Sequence, residues 1–304
     1  YYLTRNTTDK SKYQEIYEIE DDIKFRLVQF RSGLRIPIYG SLLEISGTQQ
    51  WYRAFIQEQV YTNEYGILEA GAAYDYFRGL SLSSDWSMNV IKKRIDSSIN
   101  PSNGFKVQTK FDLEKNDFIE GLNLSDSGTL LEEFKPNDLA RFQITGTYHY
   151  ELPWKKRWTI SLKGHVGWIN KQNIDPFFHF YLGGIPGLRG YPFYSIQGTK
   201  SGFIDAIFRI PVFRERHYKF KWMIFQNSTL GAIFQAGDAW TDDFLIKRSL
   251  GIQWRLNGFS FYNFPTAIEL EYHQPLDKFE KEINEENILY GDKGRAYLKI
   301  LFDF

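Results

Sequence analysis

The chain of 304 residues carries 37 basic and 37 acidic side chains, and a formal net charge of zero argues against a nucleic-acid binder, whose signature is a basic face. It has no cysteine, which excludes disulfides, thiolate nucleophiles and cysteine-ligated metals. Aromatic residues make up 18% of the chain, with 26 Phe, 20 Tyr and 8 Trp, more than an ordinary soluble core takes up; a membrane β-barrel spreads them over its lipid-facing wall and interfacial girdles.

No stretch reaches the roughly 18 consecutive apolar residues that a membrane-crossing helix needs. Without such a helix, a bilayer is crossed only by a closed barrel, because every backbone donor and acceptor needs a partner inside hydrocarbon. The opening residues Tyr1-Tyr2-Leu3 carry neither Met nor a basic, apolar leader, as expected of a mature or truncated chain. Residues 1–21, rich in charge and Tyr, read as a linker or partial strand ahead of a barrel over 22–304.

Strands are predicted near 22–33, 35–45, 49–62, 65–77 and 79–92. Beyond them, Phe105, Val107, Phe111 and Leu113 oppose Lys106, Gln108, Lys110, Asp112 and Glu114. Phe142, Ile144, Tyr148, Tyr150 and Leu152 oppose Arg141, Gln143, Thr145, Thr147, His149 and Glu151. Trp158, Ile160, Leu162, Val166 and Trp168 oppose Thr159, Ser161, Lys163 and His165. Leu250, Ile252 and Trp254 oppose Ser249, Gln253 and Arg255; Thr266, Ile268, Leu270 and Tyr272 oppose Glu269, Glu271 and His273. This is period two, the spacing of strands. Segments of about 10 to 14 residues suit tilted membrane strands, which need about 9 to 11, better than soluble strands of about 5 or 6. A soluble sandwich alternates too, but here the polar face carries charge in nearly every segment, as a wet lumen does. Short turns are predicted near Pro153-Trp154-Lys155-Lys156, Arg214-Glu215-Arg216-His217 and Asn257-Gly258. Longer polar links are predicted over 114–137, 171–201 and 276–294, the asymmetry of a barrel with long loops on one side.

The link over 171–201 contains Phe180-Tyr181-Leu182-Gly183-Gly184-Ile185-Pro186-Gly187-Leu188-Arg189-Gly190-Tyr191-Pro192-Phe193. A glycine-rich run leading into Leu188-Arg189-Gly190-Tyr191 resembles the signature loop of the outer-membrane assembly-factor superfamily of β-barrels, also called bacterial surface antigens. The resemblance extends to Asn100-Pro101-Ser102-Asn103-Gly104 as a strand-opening turn, to Gly202–Pro211 as the strand after the loop, and to Phe234-Gln235-Ala236-Gly237-Asp238-Ala239-Trp240. Leu298, Ile300, Phe302 and Phe304 resemble the C-terminal signal read by the barrel-assembly machinery during biogenesis. Together these motifs cover about residues 100 to 304.

The resemblance implies that the loop, with Gly183, Gly184, Gly187, Leu188, Arg189, Gly190 and Tyr191, folds back into the barrel and lays Arg189 on its inner wall. It also implies an Asp and a Glu there as partners, but those positions are occupied by Gln235 and Ile207. Asp205, on the same strand face as Ile207, is the expected substitute acceptor, so Asp205 and Gln235 are the candidate partners of Arg189. Family barrels have sixteen strands, five of them after the loop. Five are predicted here after it and about eight before it, which implies missing N-terminal strands or a smaller barrel. No polypeptide-transport-associated repeat is legible ahead of the barrel.

Other chemistry-bearing residues read as wall. His149, His165, Ser161 and Glu151 share polar faces where a barrel hydrolase would put a nucleophile and its base, but no G-x-S-x-G or H-E-x-x-H motif occurs and lumen lining is the favoured reading. Glu269, Glu271 and His273 on one face read as wet wall, and Asp238, Asp242 and Asp243 as rim acids rather than a cation site. Trp222, Trp240 and Trp254 read as interface girdle. The expectation is therefore an all-β chain, a transmembrane antiparallel β-barrel of about 12–16 strands, integral to the outer membrane of a Gram-negative bacterium. It needs no cofactor or metal and has no catalytic residue. Its expected partners are outer-membrane lipid, the barrel-assembly machinery, and a polypeptide cargo or complex partner. The resemblance implies protein insertion or translocation; a structural anchor in a larger outer-membrane complex is the alternative, and a lipid hydrolase the least favoured.

Overall fold

A computed structural model of the chain describes residues 2–4, 23–56, 73–92, 100–124, 130–214, 216–260, 264–283 and 286–302. The first strands are β1 (Tyr2–Thr4), β2 (Ile23–Ile38), β3 (Ser41–Ile56), β4 (Ala73–Asn89), β5 (Gly104–Leu124) and β6 (Leu130–Pro136). Next come β7 (Leu139–Glu151), β8 (Thr159–Ile169), β9 (Phe180–Tyr181), β10 (Gln197–Gly198), β11 (Lys200–Phe213) and β12 (Tyr218–Phe220). The last are β13 (Met223–Trp240), β14 (Lys247–Ser260), β15 (Phe264–Pro275), β16 (Phe279–Ile283), β17 (Glu286–Tyr290) and β18 (Arg295–Phe302).

Among the described residues fourteen strands form one sheet in the order β1-β2-β3-β4-β5-β7-β8-β11-β13-β14-β15-β18, with β6 paired to β5 and β12 to β13. Strands adjacent in sequence are adjacent in the sheet, an antiparallel meander that short connections permit. The register of the last strands sets Asp205 opposite Gln235, Gln253 opposite Glu271 and Glu271 opposite Tyr297.

The chain forms two compact units. The first comprises residues 1–35, 44–84 and 112–140. Its polar side chains meet in pairs: Ser83 donates to Asp112 at 2.5 Å, and Arg78 donates to Asp75 and Glu132 at 2.9 and 2.8 Å. Tyr76 and Phe77 pack edge-on against Phe118.

The second unit comprises 36–43, 85–111 and 141–304, and its strands are inverted relative to a water-soluble sheet. Val166, Ile204, Leu230, Leu250, Ile252, Trp254, Leu270, Leu298 and Ile300 are exposed, Ile252 by 67%. Asp205, Arg209, Gln235, Gln253, Arg255, Glu269, Glu271 and His273, on the opposite faces of the same strands, are buried. Water against the first set would forfeit roughly 25 cal/mol per Å² of apolar area, whereas hydrocarbon against it forfeits none.

The early strands differ from the predicted ones. The expected strand over 22–33 runs on as β2 to Ile38, and the expected strand over 35–45 is split between β2 and β3, because the chain reverses at Tyr39 and Gly40, with φ of 42° and 81°. Two consecutive positive φ values make the tight hairpin turn whose twist matches the strands; Tyr in place of the usual Asn hid it. Of the expected strands 49–62 and 65–77, residues 57–72 lie outside the described residues, and the expected strand 79–92 is part of β4. Six long strands therefore precede the loop among the described residues, where about eight were expected, while the expected five follow it as β11, β13, β14, β15 and β18.

Two connections also differ. The link predicted over 114–137 is largely strand, since β5 runs 21 residues and pairs with β6. At about 3.3 Å per residue that is roughly 70 Å, far longer than a bilayer needs; where water bathes both faces, no apolar face is required and alternation fades. The turn predicted at Asn257-Gly258 is not there: both sit inside β14, opposite Ala267 and Thr266. Over 276–294 the predicted loop folds as the β16–β17 pair.

If lipid covers the apolar faces, Ile252→Lys should lower the unfolding free energy by about 2–4 kcal/mol. Urea unfolding in liposomes reads this directly, and a near-neutral effect would mean that water covers this face.

Candidate functional site

The segment between β8 and β11 leaves the sheet and returns to it, and its own hydrogen bonds hold its shape. The Asp175 side chain accepts from Phe177 N–H at 2.8 Å, opening a 3-10 turn at Pro176–Phe178. β9 then pairs with β10. Beyond it Leu182 N–H donates to Ile196 O at 3.0 Å, Leu188 N–H to Leu182 O at 2.6 Å, and Gly184 N–H to Tyr191 O at 2.9 Å. Leu182, Leu188, Tyr191 and Ile196 are buried and give the loop a small core. This path requires glycine: Gly184 has φ +77°, and a Cβ on Gly183 would lie 1.8 Å from Pro192 O.

The doubling back delivers Arg189 to the polar face, where its side chain is buried. Nη1 donates to both carboxylate oxygens of Glu271, at 2.8 and 2.9 Å, and Nη2 donates to Asp205 Oδ2 at 2.5 Å. The backbone is held too. Arg189 N–H donates to Gln235 Oε1 at 2.9 Å, Gln235 Nε2 donates to Gly187 O at 3.0 Å, and the Tyr297 hydroxyl donates to Arg189 O at 2.7 Å. Tyr191 Oη lies 2.9 Å from Arg248 O and 3.0 Å from Asp277 O. Burial pushes its pKa up to about 12, so it stays a protonated donor. Asp277 accepts from the Arg248 guanidinium, which holds its carboxyl below the usual carboxylate range.

The site lies within a larger buried network. Glu271 also accepts from Gln253 Nε2 at 2.7 Å and from Lys299 Nζ at 2.7 Å. Lys299 reaches Glu269 at 3.0 Å, and Arg255 reaches Glu269 at 3.3 Å. Charges taken out of water are tolerated when each is paired and hydrogen-bonded, and three cations here meet three anions.

Several sequence expectations are sharpened or corrected. Asp205 meets the Arg189 guanidinium. Gln235 meets Arg189 at the backbone instead, because a carboxamide both accepts and donates and so clamps an N–H and a C=O together. Glu271, read from the sequence as plain wall, is the second carboxylate on Arg189. No local signal marked it, since its role depends on the register of β15 against β14 and β18. Leu298, Ile300 and Phe302 lie exposed along β18, and Phe304 lies outside the described residues. His149 Nδ1 and Ser161 Oγ are 2.8 Å apart, and Ser161 also accepts from Arg209 at 3.2 Å. Among the described residues no carboxylate hydrogen-bonds His149 to orient it as a base, unlike a hydrolase triad. Asp238 is bound by Lys247 Nζ at 2.6 Å and Leu245 N–H at 2.8 Å, so a lysine ammonium stands where a cation was considered.

Residues 20–204 match the Omp85 superfamily domain. The chain is similar in fold to the crystal structure of BamA from Haemophilus ducreyi lacking POTRA domains 1-3, at 13% identity and a TM-score of 0.56, over 92% of this chain and 55% of that one. It thus spans about half the length of that protein. No curated protein matches it.

Replacing Arg189 by Met should strip Asp205 of its one ion-pair partner among the described residues and destabilise the fold by about 3 kcal/mol. Adding Asp205→Asn should recover part of that loss, a coupling of about 1–3 kcal/mol measurable by urea unfolding in detergent micelles.

Proposed function

The chain belongs to the Omp85 superfamily, and from that premise we propose that it is an integral barrel of the Gram-negative outer membrane that inserts polypeptide into that membrane or passes it across. The observation that carries this reading is the Arg189 loop latched onto the polar face through Glu271 and Asp205. In a closed barrel the polar face lines the lumen, so the loop lies across the path that a cargo would take. The exposed apolar faces supply the lipid contact. The exposed apolar face of Leu298, Ile300 and Phe302 on β18 is what barrel-assembly machinery would read during biogenesis. The chemistry asked of such a protein is positioning and desolvation of strands rather than bond cleavage; no residue is assigned a catalytic role, and no cofactor is required.

One observation favours a second reading. The loop is held by its backbone as well as by its arginine, through Gln235, Tyr297 and the Tyr191 hydroxyl. A stopper so fixed suits a structural anchor or partner subunit of a larger outer-membrane complex.

Two measurements separate them. In planar bilayers, Arg189→Ala should raise single-channel conductance several-fold over the native chain. In liposomes, the native chain should accelerate insertion of a second, urea-unfolded outer-membrane barrel at least about tenfold over empty vesicles, an effect of about 1.4 kcal/mol on the barrier. Insertion no faster than in empty vesicles would leave the anchor reading standing.

A further inference from the structure

The second unit contains a cavity that the latch does not use. It measures about 70 Å³ and lies where the connection between β7 and β8 meets the end of β11 and the start of β13. Its lining includes Arg157, Arg209, Arg214, Ser102, Asn227 and Thr229, and among the described residues no acidic one lines it. This is the short-turn end of the strands, away from the Arg189 loop. The volume is several times the roughly 10–15 Å³ that one water requires.

Three arginines line this one cavity, and they differ from the ion-paired arginines elsewhere in the chain. Arg78, Arg189, Arg248 and Arg255 each have a carboxylate within ion-pair distance. Among the described residues Arg157, Arg209 and Arg214 have none. Arg209 is 8% exposed, and its Nε and Nη1 donate to neutral oxygens, Gln253 Oε1 at 2.7 Å and Ser161 Oγ at 3.2 Å. Arg214 donates to Lys156 O at 2.8 Å, another neutral acceptor. Glu269, Glu271 and Asp205 act on Arg209 only from beyond ion-pair distance, and a buried charge is costly without a direct partner, so this geometry favours an anion from outside the chain.

An independent observation points the same way. Thr229 lines the cavity and is 8% exposed, yet its Oγ1 has no hydrogen-bond partner among the described residues. Buried hydroxyls are almost always satisfied, and an exception calls for a missing acceptor or donor. An oxyanion in the cavity would supply acceptors to this hydroxyl and to the guanidinium N–H groups at once. Several guanidinium forks converging on one point match a tetrahedral group with three or four oxygens, and Arg is the side chain best shaped for phosphate.

We propose that this cavity is a phosphate-binding site, taking either inorganic phosphate or the phosphate of a lipid headgroup that reaches the short-turn end of the barrel. The guanidiniums of Arg157, Arg209 and Arg214 bind the oxygens, and the Thr229 hydroxyl donates to one of them. Nothing covalent happens there; the bound group neutralises Arg209 and ties the β7–β8 connection to β11 and β13.

The test uses the full chain refolded in an uncharged detergent. Thermal unfolding is followed as sodium phosphate is titrated in, against sodium chloride at matched ionic strength, and binding is measured by calorimetry. Phosphate should raise the melting temperature saturably and chloride should not. Arg214→Gln alters an exposed side chain and Thr229→Val preserves shape, so both variants should fold, and each should weaken phosphate binding about tenfold or more, as loss of one charge-assisted hydrogen bond implies. In nanodiscs, anionic phosphatidylglycerol that abolishes the response to free phosphate identifies the headgroup as the occupant; an unchanged response identifies the free anion. Absence of a saturable response to phosphate, or an equal response in both variants, overturns the proposal.

Discussion

On strands β11, β13, β14 and β15 apolar side chains are exposed on one face while charged and amide side chains are buried on the other, and the rest of the structure depends on that inversion. In water it would be the wrong way round. Against hydrocarbon it is the arrangement of lowest free energy, provided that each backbone group is paired along the ladder and each buried polar group has a partner. The same constraint explains the long antiparallel strands.

Once the polar face is sealed from lipid, its charges must answer to one another. The cluster around Glu271 does so with Arg189, Arg255 and Lys299 set against Asp205, Glu269 and Glu271. Arg189 is the only one of these that comes from a loop, so the charge balance of the wall is completed only when the loop is in place. Folding of the loop and folding of the strands are thereby linked through electrostatics, while Gln235 and Tyr297 fix the loop backbone at the same spot. The cavity near Arg209 is the contrasting case, a part of the wall where three arginines gather and, among the described residues, no carboxylate lies within ion-pair distance of them.

Alternation at period two was legible over β7, β8, β14, β15 and β18, because a strand with one face in lipid and one in a polar interior must write that difference into every second residue. The loop was legible through the resemblance of its glycine-rich run to the family's signature loop, and its path does need glycine at Gly183 and Gly184. Where water reaches both faces the pattern loses its cause: β5 and β6 extend through a stretch that reads as polar linker, and Asn257-Gly258 looks like a turn yet lies within β14.

By itself, the amino-acid sequence determined the class of fold through its periodicity, and its resemblance to a family motif marked the glycine-rich loop and the arginine it carries. Only the tertiary structure decided what that arginine binds. Glu271 lies 82 residues away and reaches Arg189 through the register of β15 with its neighbours. Register is set by the summed pairing of whole strands, so no single residue announces it. For the same reason the convergence of Arg157, Arg209, Arg214 and Thr229, from four separate points of the chain, became visible only once the strands were laid side by side.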